Sequence, residues 1–114
     1  VARALQAAEM LARENISARV VNMPTIKPID STLLARCSLE TGAIVTAEDH
    51  NILGGLGGAV AEALAQTRPC PVEFVGVKDT FGASGEPDEL AHHFGISAPF
   101  IADAARRAIA RKKP

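Results

Sequence analysis

Two nearly unbroken apolar runs constrain this chain more than any other feature. Residues 43–48 read Ala-Ile-Val-Thr-Ala-Glu and residues 72–77 read Val-Glu-Phe-Val-Gly-Val. A strand with one wet face alternates apolar and polar residues. A strand covered on both faces does not need to, and such runs are characteristic of parallel sheets lying between layers of helices. A third run, Ala-Arg-Val-Val-Asn-Met at 18–23, reads as another strand, stopped by Pro24.

The stretches between these runs have helical periodicity. In residues 1–15, Val1, Ala4, Leu5, Ala8, Leu11 and Ala12 share one face, with Arg3, Gln6, Arg13 and Glu14 opposite. Asp30 is a good N-cap for a helix carrying Leu33, Leu34 and Cys37 inward, and Gly42 suits the left-handed residue that closes it. Leu56, Ala59, Val60, Ala63 and Leu64 mark a third helix, ended by Arg68-Pro69. Pro87 opens a short helix anchored by Leu90 and Phe94 and ended by Gly95. Ile101, Ala104, Ala105, Ala108 and Ile109 define a last helix that starts near residues 97–99.

Alternating strands and helices predict one domain over residues 1–114, a three-layer α/β/α fold with a mostly parallel sheet. The 114 residues suffice for one core. With four Phe and neither Tyr nor Trp, that core is built from small aliphatic side chains. Domains of this kind open with a strand, whereas this sequence opens with a helix. The expectation is a domain whose N-terminal strand or strands are missing.

Charge excludes some partners. A net charge of −1 gives no basic field for nucleic acid or acidic membranes. The basic run Arg106-Arg107 with Arg111-Lys112-Lys113 is expected to be a solvated helix end complementing the macrodipole. No apolar stretch approaches the ~20 residues of a membrane span. The two cysteines, Cys37 and Cys70, form no disulfide framework and fit a reducing, cytoplasmic compartment.

Three clusters could carry chemistry. Glu48-Asp49-His50 ends a predicted parallel strand, the edge at which open α/β sheets bind ligands. An acid beside a histidine could orient a general base. No motif places a nucleophile near it, so interface or capping roles are favoured over catalysis. Gly54-Gly55-Leu56-Gly57-Gly58 opens a helix and could offer amides to an anion. Asp79 follows at about the distance of a ribose-binding acid, yet Val60 stands where a dinucleotide fingerprint has its third glycine. Close helix–sheet approach is therefore the favoured reading for these glycines. His92 and His93 are adjacent on a predicted helix and diverge by about 100°, so they read as a surface pair rather than metal ligands.

These segments in their order resemble the C-terminal domain of transketolases. The resemblance rests on Met23-Pro24-Thr25-Ile26-Lys27-Pro28-Ile29-Asp30, on Ile44-Val45-Thr46-Ala47-Glu48-Asp49-His50 with Gly54-Gly55-Leu56-Gly57, and on Phe81-Gly82-Ala83-Ser84-Gly85 with Pro87, Glu89, Leu90, Phe94, Gly95 and Ile96. It implies a parent enzyme that moves a two-carbon ketol unit between sugar phosphates, using thiamine diphosphate and Mg²⁺ held by other domains. It implies no catalytic, cofactor-binding or metal-binding residue in this chain. Glu48, Asp49, His50, Gly54, Gly55 and Gly57 are the candidate interface or anion-binding residues. The expected partners are other domains or subunits of the same enzyme, in a homodimer or a heterotetramer. The related 1-deoxyxylulose-5-phosphate synthases and 2-oxo-acid dehydrogenase β subunits share this domain, and are the alternative parents.

A right-handed strand–helix–strand unit needs a strand before the first helix, and the resemblance implies that it lies between residues 18–23 and 43–48. These two runs are therefore expected not to pair with each other directly.

Overall fold

The computed structural model describes residues 2–23, 28–51, 55–77 and 97–112, leaving aside the side chains of residues 49–51 and 77. Four helices and two strands are described. They are α1 (Ala2–Ala12), α2 (Ser31–Thr41), β1 (Ile44–Asn51), α3 (Leu56–Gln66), β2 (Val72–Val77) and α4 (Ala98–Ala110). The short helix expected at 87–95, with His92 and His93, lies outside the described residues, as do Asp79 and the 81–85 turn.

β1 and β2 run parallel, with Ile44 opposite Val72 and Ala47 opposite Val75, and the register shifts before Asn51 meets Val77. Helices cover both faces. Side chains that alternate along each strand divide the interior into two cores. Val45, Ala47 and Val75 pack with Ala7 and Leu11 of α1 and with Ile101, Ala102 and Ala104 of α4. Ile44 and Val72 pack with Leu34 of α2 and Val60 and Leu64 of α3. The resulting order, α1 and α4, then the sheet, then α2 and α3, is the three-layer architecture that the apolar runs imply.

The helix ends follow from local chemistry. Asp30 accepts the Leu33 amide at 3.0 Å and caps α2, while Gly42, at φ 78°, closes it with its N–H on the Ser38 carbonyl. After α1 the amides of Asn15 and Ile16 return to the carbonyls of Ala12 and Leu11, with Asn15 left-handed at φ 63°. This paired closure is a Schellman turn, and Ile16 joins Leu11 in the core as such turns favour. α1 thus stops three residues before Asn15, where the periodicity alone placed its end.

Two strand expectations need correction. β1 continues through Asp49 and His50 to Asn51, three residues past the apolar run at 43–48. Residues 18–23 belong to no sheet, because no strand lies beside them among the described residues. Arg19 in this segment pairs with Glu40 of α2 at 3.0 Å. A cavity of about 930 Å³ separates the segment from β1. Consecutive residues 43–48 of one wall and 15–23 of the other line it. A strand seen face-on contributes alternate residues, so an unbroken series marks the bare edge of β1.

Candidate functional site

The carboxyl end of β1 and the start of α3 form one unit. Thr46 and Glu48 stand two residues apart on the same side of the strand, facing α3. Glu48 Oε1 accepts the Leu56 amide at 2.8 Å, and Oε2 accepts the Gly57 amide at 3.0 Å. The first turn of a helix has amides without internal partners. α3 has no acidic residue of its own there, and Gly55 at the N-cap supplies no side chain. Glu48 brings the missing acceptor from the neighbouring strand, where a negative charge also complements the helix dipole.

Gly57 makes this contact possible. A Cβ there would lie 2.9 Å from Phe74 Cδ1 and 3.0 Å from Thr46 Oγ1, closer than the packed atoms allow. Within the glycine run Gly57 thus serves close approach of helix and strand, the role favoured on sequence grounds, and its amide is already engaged by a carboxylate. Thr46 is buried and its hydroxyl has no hydrogen-bond partner among the described residues. Nothing in the sequence signalled that hydroxyl, because burial depends on how closely α3 approaches.

The other candidates are placed as follows. Gly55 is the N-cap of α3, with an extended backbone. Asp49 and His50 are the next residues of β1 after Glu48, at the carboxyl edge of the sheet. Gly54 lies outside the described residues. Glu48, Gly55 and Gly57 are therefore brought together.

The basic C-terminal helix makes more specific contacts than a solvated end requires. Arg107 and Arg111 both pair with Glu73 of β2, the former at 3.1 Å, and Arg111 also donates to the Val72 carbonyl at 3.1 Å. These guanidinium groups hold the Glu73 carboxyl below the usual carboxylate range, against the opposing effect of burial. Arg106 spans Asp103 and Glu14, joining α4 to the end of α1, and its hydrogen bond lowers the Glu14 pKa.

The fit to a diphosphate and its metal ion can be tested on these residues. The amide group best suited to a diphosphate, at the start of α3, is taken by Glu48, which would repel it. Among the described residues no group of three or more His, Cys, Asp or Glu could hold a metal ion. The described residues do not fit such a cofactor. No helix among them is long and apolar enough to cross a membrane.

Comparison with known proteins agrees with this architecture. The family model for the transketolase C-terminal domain matches residues 1–101. A 6-deoxy-6-sulfo-D-fructose transketolase subunit from Clostridium sp. (strain MSTE9) is 46% identical over 112 residues, which cover 98% of this chain and 35% of that protein. A 1-deoxy-D-xylulose-5-phosphate synthase from Gloeothece citriformis (strain PCC 7424) is 40% identical over 101 residues, 88% of this chain and 16% of the relative. Among solved structures, a split-gene transketolase in an inactive beta4 tetramer superposes with a TM-score of 0.94 at 48% identity, covering 98% of this chain and 37% of the other. The chain thus spans about a third of the length of the transketolase subunits it matches. With its matched sequence, its three layers and its glycine-opened α3 behind an acidic strand end, this chain belongs to the transketolase C-terminal domain family.

Proposed function

We propose that this chain is the C-terminal domain of a transketolase and serves subunit assembly rather than chemistry. The parent would transfer a two-carbon ketol unit from a ketose phosphate to an aldose phosphate in the cytoplasm. Thiamine diphosphate and Mg²⁺ would be bound by its other domains or by a partner subunit, in a homodimer or a heterotetramer. The observation that carries this reading is the engagement of the α3 amides by Glu48. It occupies the Leu56 and Gly57 amides at the carboxyl edge of the sheet, where an α/β enzyme would hold its ligand. Glu48, Asp49, His50, Gly54, Gly55 and Gly57, at and after the end of β1, are then the chain's proposed interface residues. Similarity to separately encoded transketolase subunits supports a split parent.

Calorimetric titration of the 114-residue chain with thiamine diphosphate and Mg²⁺ tests the division of labour. No heat of binding is expected, and micromolar affinity would refute the proposal. A 1-deoxyxylulose-5-phosphate synthase parent is the alternative, favoured by relatives such as that of Gloeothece citriformis. Assaying the full-length protein with a ketose phosphate and an aldose phosphate, or with pyruvate and an aldose phosphate, separates the two. Activity is expected only with the first pair.

A further inference from the structure

We draw no further inference here: the strongest candidate, the cavity between the bare edge of β1 and residues 18–23, is the place that the family resemblance already gives to a further strand of the sheet.

Discussion

Gly57 and Gly58 are sequence neighbours with opposite tolerance for a side chain. An added Cβ at Gly57 meets Phe74 at 2.9 Å, whereas one at Gly58 meets nothing within 4 Å. Gly57→Ala should destabilise the domain by about 1–3 kcal/mol, the usual cost of overpacking. Gly58→Ala should be neutral or stabilising by up to about 1 kcal/mol, because alanine favours a helix interior. Chemical denaturation of both variants checks the pair. The sequence showed that these glycines open a helix, but only the approach of Phe74 distinguishes one from the next. Glu73 gives a second prediction at this scale. Its pKa is lowered in the folded state by Arg107 and Arg111. Its contribution is thus present above the unfolded carboxylate pKa of about 4.3 and is lost as pH falls through the lower folded value. Glu73→Gln should cost about 1 kcal/mol or less at neutral pH, and the difference from the native protein should vanish in acid. Denaturation curves across that pH range show whether it does.

Elements were legible where their signal is local. The cap at Asp30, the left-handed Gly42 and the periodicity of α3 and α4 all depend on neighbours in sequence, and each appears where its residues imply. Asp30→Ala should cost about 0.5–2 kcal/mol through loss of the Leu33 hydrogen bond, measurable in the same denaturation assay. Pairing was less legible because a strand needs a partner that its own residues do not specify. Residues 18–23 have a strand's composition yet join no ladder, and the bare edge of β1 faces the same cavity. The Ala18–Met23 and Ala43–Glu48 runs do not pair with each other, as expected. We propose that an extended segment of the longer parent lies in this slot. Each buried amide or carbonyl left unpaired there would otherwise cost about 1–3 kcal/mol. Amide hydrogen exchange provides the check. The backbone of residues 43–48 should exchange much more slowly in the full-length protein than in the 114-residue chain, and equal rates in both would argue against an occupant.

At the scale of the whole molecule, the three-layer order and the family could be read from the ordered motifs, because fold class follows from the alternation of elements. The functional role was less legible. Glu48-Asp49-His50 has residue types suited to acid–base chemistry, and its sequence alone does not reveal that the first of them is committed to a helix start. The proposed assembly role rests on that commitment. The central claim is tested most directly by His50→Ala in the full-length, cofactor-loaded enzyme, with sedimentation and ketol-transfer turnover measured on the same samples. The account predicts weaker subunit association, with turnover per assembled enzyme returning close to the native value when protein concentration is raised. An intact assembly that has lost its turnover would contradict it.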